Sequence, residues 1–88
     1  MKYFVYLIIS KNKQKYLSYV GYTNNLKKRL AKHNASKGAK FTRGRKWKLI
    51  YKEKLNSKSE AISREYYIKN NKTLRNKIKN ENFNSFTL

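Results

Sequence analysis

The apolar positions of this chain fall in short blocks, and their period changes from one block to the next. Tyr3 to Ile9 is an unbroken aromatic and β-branched run that predicts a strand. Tyr16 to Tyr22 predicts a second, and the polar stretch Ser10 to Lys15 is short enough to join the two as an antiparallel hairpin. Thr23, Asn24 and Asn25 offer N-caps for a helix running to about Asn34. In that helix Leu26 and Leu30 lie one turn apart, with Lys27, Lys28 and Lys32 on the other side. Residues 35–46 read as a loop, and Trp47 to Lys52 as a third strand. Ser57 and Glu60 form a capping box. The helix behind them places Ala61, Ile62, Glu65, Tyr66, Ile68 and Lys69 on one broad face. Leu74 and Ile78 are the apolar pair of a last helical segment, Lys72 to Lys79, and Phe83, Phe86 and Leu88 are expected in a tail (80–88) folded back on the core. The order is ββαβαα, an α+β fold with a small antiparallel sheet.

The length of 88 residues accommodates one domain, spanning 1–88. With 39% hydrophobic and 15% aromatic residues, the chain is too apolar for a disordered basic tail and is expected to fold. The inventory of reactive groups is short. Cysteine is absent, which excludes disulfides, thiolate zinc sites and cysteine nucleophiles. His33 is the sole histidine, so a His-rich zinc site or a two-histidine ribonuclease site cannot form within one chain. Aspartate is absent, and Glu53, Glu60, Glu65 and Glu81 are the only acids, which argues against a multi-carboxylate two-metal centre. Catalysis, if present, must run on Tyr, Arg, Lys, His33 and one Glu.

The net charge of +19 makes nucleic acid the expected partner, because neutralising phosphates releases counterions. A membrane surface would call for one amphipathic helix with a basic face, whereas the basic residues here run along the whole chain. No apolar run approaches the roughly 20 residues of a membrane span. The N-terminus lacks the small-residue cleavage site of a signal peptide, and a cytoplasmic protein is expected.

Four features sit uneasily in a purely structural account. Glu65 lies inside the apolar stripe of its helix, where a carboxylate needs an ion-pair partner or a bound cation. Arg29 and His33 share a helix face at the border of the buried stripe, fitting either a surface Arg with a boundary His or a phosphate held between them. Tyr6 and Tyr19 lie on neighbouring strands, an arrangement usually seen in packing pairs. Gly21 inside a strand suggests a bulge or the close approach of a backbone or ligand.

Taken in order, these residues resemble the GIY-YIG nuclease superfamily over about residues 3–75. Phe4-Val5-Tyr6 stands for the first tripeptide, with Phe4 replacing the family's glycine, and Tyr19-Val20-Gly21 for the second. Gly21-Tyr22-Thr23, Arg29-Leu30, His33-Asn34, Lys37 through Arg43, Glu60-Ala61, Arg64-Glu65 and Ile68-Lys69 are similar to its small stand-alone, single-domain branch (YhbQ-like, UPF0213-type). The resemblance implies a three-stranded antiparallel sheet flanked by helices, and metal-dependent hydrolysis of DNA phosphodiesters. It implies that Tyr6 activates the attacking water, with His33 assisting and Tyr19 positioning a phosphate oxygen or a water. Arg29 would hold the phosphate, and Glu65 would bind one Mg²⁺ or Mn²⁺. Arg29 and the many lysines are expected to lower the Tyr6 pKa. Asn70, Asn71, Asn76 and Asn80 all remain candidates for the family's late polar residue. Lys37, Lys40, Arg43, Arg45 and Lys46 would track phosphates. Phe41 and Trp47 offer rings to unpaired bases, although Trp47 also suits a core position. A monomer, structure-selective or directed to its target by a protein partner, is expected. The alternative is a non-catalytic nucleic-acid-binding module on the same fold.

Overall fold

The first strand reads as a continuous hydrophobic run because it is buried on both faces. The structure, a computed structural model, describes residues 2–12 and 15–82. Its elements are β1 (Tyr3–Asn12), β2 (Lys15–Thr23), α1 (Leu26–Asn34), a 3₁₀ turn (Lys40–Thr42), β3 (Lys48–Leu55), α2 (Lys58–Lys69) and α3 (Lys72–Glu81). The antiparallel sheet has the order β2-β1-β3, so β1 is central. Its alternate residues feed two cores. Val5, Leu7 and Ile9 pack with Ala61 and Ile68 of α2 and Ile78 of α3. Tyr6 and Ile8 pack on the other face with Trp47, Leu26 and Leu30. This period of two, superposed on full burial, is what a central strand between two layers requires.

The predicted order ββαβαα is observed, and the differences lie in boundaries and faces. The hairpin strands extend further into the polar stretch than expected, β1 to Asn12 and β2 from Lys15. The third strand begins at Lys48, one residue after Trp47, and runs to Leu55. The broad face expected on α2 is narrower: Ala61 and Ile68 are buried, but Ile62 is 44% and Tyr66 69% exposed. α2 lies on one face of the sheet, to which it gives a single line of side chains seven residues apart, and the flanking positions face outward. Phe83, Phe86 and Leu88 lie outside the described residues. No helix among the described residues is long and apolar enough to cross a membrane.

Side-chain caps start each helix. Asn25 Oδ1 accepts from the Lys28 N–H, Ser57 Oγ from Glu60 N–H, and Asn71 Oδ1 from Leu74 N–H. Arg64 then fixes α2 against β3, donating from Nε and one terminal nitrogen to Glu53 at 2.7 and 2.9 Å. Tyr51 donates to the same carboxylate at 2.6 Å. Burial opposes ionisation of Glu53, but these donors outweigh it and hold its pKa below the usual value.

Register explains Gly21. It pairs with Tyr6, and the phenol ring folds over it. A Cβ on Gly21 would lie 2.4 Å from Tyr6 Oη and 2.6 Å from Cζ. The close approach expected at this position is thus made by a tyrosine ring, while the irregularity in the sheet falls between β1 and β3 at Leu7 and Ile8. Gly21→Ala is expected to lower folding stability by about 1–3 kcal/mol through overpacking. Urea unfolding at neutral pH checks this, and an unchanged midpoint would contradict the ring placement.

Candidate active site

The cap at Asn25 sets the phase of α1, and that phase sends His33 inward. His33 is fully buried, not at the border of the stripe, whereas Leu26 and Leu30 are half-buried. Its ring nitrogens are both engaged. Nε2 lies 2.7 Å from Tyr6 Oη, and Nδ1 lies 2.8 Å from Thr42 Oγ1. Thr42 donates its single hydroxyl proton to the Ala39 carbonyl at 2.8 Å. It must therefore accept from His33, which places the imidazole proton on Nδ1 and leaves Nε2 to accept from Tyr6. The chain of donors runs from Tyr6 through His33 and Thr42 to Ala39.

The loop supplying Thr42 is closed at its base by Asn34. Trp47 N–H donates to Asn34 Oδ1 at 2.6 Å, and Asn34 Nδ2 donates to the Trp47 carbonyl at 3.2 Å. Trp47 itself is core, and its indole N–H bonds the Thr42 carbonyl at 2.9 Å. A Cβ at Gly38 would lie 2.6 Å from His33 Nδ1, so that glycine admits the loop backbone to the imidazole.

In front of Tyr6 opens a cavity of about 490 Å³. It gathers Tyr6, Tyr19, Gly21, Arg29 and Glu65 from β1, β2, α1 and α2. His33 stands behind Tyr6 and does not line it. Lys37, Lys40, Arg43, Arg45 and Lys46 do not line it either; Arg45 is half-buried and the other four point to solvent. Lys32 and Lys58, which the sequence reading left unassigned, join Arg29 as cations on its wall. Thr42 was also missed. Its one sequence signal, a hydroxyl in a loop nine residues past a histidine, is too common to single out. Of the candidate asparagines, Asn71 caps α3 and Asn70 donates to the Tyr66 carbonyl. Asn76 and Asn80 line a separate groove with Ile9 and Lys79, and the asparagine on the Tyr6 cavity is Asn24.

Electrostatics correct one expectation. The Tyr6 pKa is raised, because burial outweighs the hydrogen bond and charge of Arg29. The resting phenol is neutral. His33 is held down to about 4, first by burial and then by Arg29, and is neutral as well. Glu65 meets Lys69 Nζ at 3.7 Å, longer than a charge-assisted hydrogen bond. Glu65 thus has the ion-pair partner that one sequence reading required, and it also faces the cavity. No group of three or more His, Cys, Asp or Glu among the described residues is placed to hold a metal.

Comparison with known proteins points the same way as the geometry. Residues 2–80 match the family described as the GIY-YIG catalytic domain. A UPF0213 protein of Staphylococcus haemolyticus is 48% identical over 69 residues, covering 77% of this chain and 80% of its own. One from Clostridium perfringens is 55% identical over 65 residues, covering 73% and 69%. The solution structure of a UPF0213 protein from Bacillus halodurans is 35% identical, covers 88% of this chain and 80% of its own, and superposes with a TM-score of 0.47.

The buried imidazole carries a pH signature. Because folding keeps His33 neutral, the unfolded chain protonates first, near pH 6.5. The stability that this contributes is complete above that value and is lost as pH falls towards 4, about 2 kcal/mol between pH 7 and 5. Urea unfolding at the two pH values checks the loss. NMR of the single imidazole is expected to show no titration between pH 8 and 5, and a midpoint near 6.5 would contradict the buried chain.

Proposed function

Because this chain belongs to the GIY-YIG catalytic-domain family, we propose that it is a metal-dependent endonuclease that hydrolyses phosphodiester bonds in DNA. One observation carries the reading. A buried donor chain, Tyr6–His33–Thr42, ends on a cavity that also presents Arg29 and Glu65. The donor chain by itself would serve packing; the cavity that sets Arg29 and Glu65 in front of the Tyr6 ring is what gives it a reaction to serve.

The residues assign themselves by their atoms. Tyr6 Oη donates to His33 and has the Arg29 guanidinium beside it on the cavity wall, which leaves its oxygen able to accept from a water in the cavity. As that water attacks phosphorus, its proton passes to Tyr6 Oη while the phenol proton moves to His33 Nε2. The phenol never needs to ionise alone, which its raised pKa would oppose. Arg29 binds the phosphate and stabilises the charge that grows on its oxygens. Tyr19, packed edge-on to His33 at 5.2 Å between ring centres, orients a phosphate oxygen or the water. Glu65 offers one hard oxygen ligand whose present partner is a distant, exposed lysine. That suits a single Mg²⁺ or Mn²⁺ completed by waters and substrate, and such an ion, when bound, supplies stabilisation of the leaving oxygen. Lys32 and Lys58 add positive potential at the cavity rim. Selectivity is expected to come from nucleic-acid structure or a targeting partner, because a domain this small has little room for a sequence-reading element.

The test is cleavage of labelled duplex, single-stranded and branched DNA with Mg²⁺, Mn²⁺ or EDTA. Arg29→Ala and Glu65→Ala are each expected to lower the rate at least ~100-fold while leaving the fold intact, and Tyr6→Phe to lower it as far at a cost in stability, because His33 Nε2 loses its donor. Glu65→Ala is also expected to leave binding in EDTA unchanged. Metal-independent cleavage, or equal rates in wild type and variants, would sink the assignment. Binding with a steep salt slope and no product on any substrate would instead establish a nucleic-acid-binding module.

A further inference from the structure

Phe41, which the proposed chemistry does not use, is 53% exposed. A single exposed phenylalanine is ordinary on a protein surface. The setting of this one is not. The 3₁₀ turn that brings Thr42 to His33 also lays Phe41, one residue earlier, against Tyr19. The two rings are stacked at 20° with centres 6.3 Å apart, and Tyr19 in turn lies 6.5 Å from Tyr6. Three rings therefore lead from the cavity phenol to the surface. Trp47 backs Phe41 at 6.2 Å.

A second cavity of about 400 Å³ opens beside Phe41, bounded by Ser18, Tyr19, Val20, Lys69 and Arg75. It shares Tyr19 with the first, so the two adjoin along β2, an edge strand. The first presents Arg29 and Glu65; the second presents an aromatic ring, an ammonium and a guanidinium. The guanidinium is fixed, because Arg75 donates to the Ile68 and Lys69 carbonyls at the end of α2. Along α2, Lys58, Glu65 and Lys69 fall on one stripe, with a cation on either side of the carboxylate. Lys58 and Lys69 are about 16 Å apart along the helix axis, enough for more than one phosphate of an extended strand.

We infer that the second cavity holds the nucleotide adjoining the cleaved phosphodiester, its base unpaired and stacked on Phe41 and its phosphate on Lys69 and Arg75. The inference rests on the nuclease reading of the adjoining cavity. It defines the substrate class further: a base that stacks on a side chain must leave its own helix, so single strands, flaps and branch points enter at less cost than an intact duplex. Tyr19 then has two duties, as a wall of the cavity in front of Tyr6 and as the ring that keeps Phe41 in place.

The experiment is binding of the full-length chain, in EDTA, to a short labelled oligothymidylate and to a duplex of the same length. Phe41→Ala is expected to weaken single-strand binding roughly tenfold, to leave duplex binding unchanged, and to preserve the salt slope, since no phosphate contact is lost. Phe41→Trp is expected to restore the affinity, and its fluorescence to be quenched by the single strand alone. Loss of single-strand and duplex affinity together, or no loss in either, overturns the inference, as does failure of Phe41→Trp to restore binding when its thermal melt matches wild type. Cleavage assays on the same proteins separate the two readings. Metal-dependent cleavage with no single-strand effect of Phe41→Ala overturns the subsite alone. Single-strand binding that depends on Phe41 without any cleavage overturns the nuclease reading and, with it, the placement beside a cleaved bond.

Discussion

The contact on which the rest of this structure depends is the hydrogen bond between Tyr6 and the buried face of His33. A neutral imidazole without water must have both nitrogens satisfied, or burial costs several kcal/mol. One partner comes from the central strand, twenty-seven residues earlier, and the other from the 3₁₀ turn, nine residues later. Meeting both demands fixes the phase of α1, the path of the loop through Gly38, and the position of the Tyr6 ring over Gly21. No buried side-chain nitrogen or oxygen among the described residues is left without a partner.

The scarcity of acids is resolved in the same economical way. Glu53 is committed to Arg64 and Tyr51, and Glu60 to the Ser57 cap. Glu81 ends α3, which leaves Glu65 as the one carboxylate on the cavity wall. The Glu53–Arg64 pair is partly exposed, so its energy as a surface contact is small. Its geometric effect is larger, since it fixes α2 on β3 one residue before Glu65. A charge of +19 on so small a body otherwise favours expansion, and an anionic partner relieves that repulsion.

Much of this was legible in the sequence because the signals were local. The continuous run from Tyr3 gave a strand, though not its central place, and Ser57 with Glu60 gave the start of α2. The approach of Arg29 and His33 to Tyr6 was implied by the family resemblance that an ordered set of motif residues carries. What escaped was non-local. The burial of His33 depends on a loop crossing over α1, and no spacing in the chain encodes that crossing. Thr42 matters only once the loop has closed through Asn34 and Trp47. The direction of the Tyr6 pKa depended on weighing burial against charge, and a sequence displays the charge of Arg29 but not the desolvation that outweighs it. The exposure of Ile62 and Tyr66 likewise reflects how little of α2 the sheet face covers.

Arg29 ties the electrostatics to the proposed chemistry. In the free protein its charge helps keep His33 near pKa 4, and Tyr6 lies above its ordinary 10.0. Burial leaves the phenol a reluctant acid and the imidazole a reluctant base, and the Arg29 charge eases the first while it opposes the second. A phosphate bound to Arg29 cancels the charge that opposes an imidazolium, and the negative charge growing on phosphorus favours one further. Because the proposed relay returns a proton to Tyr6 as it gives one to His33, the imidazolium is the one new charge it creates among these side chains, and a phosphate on Arg29 is the group placed to stabilise it.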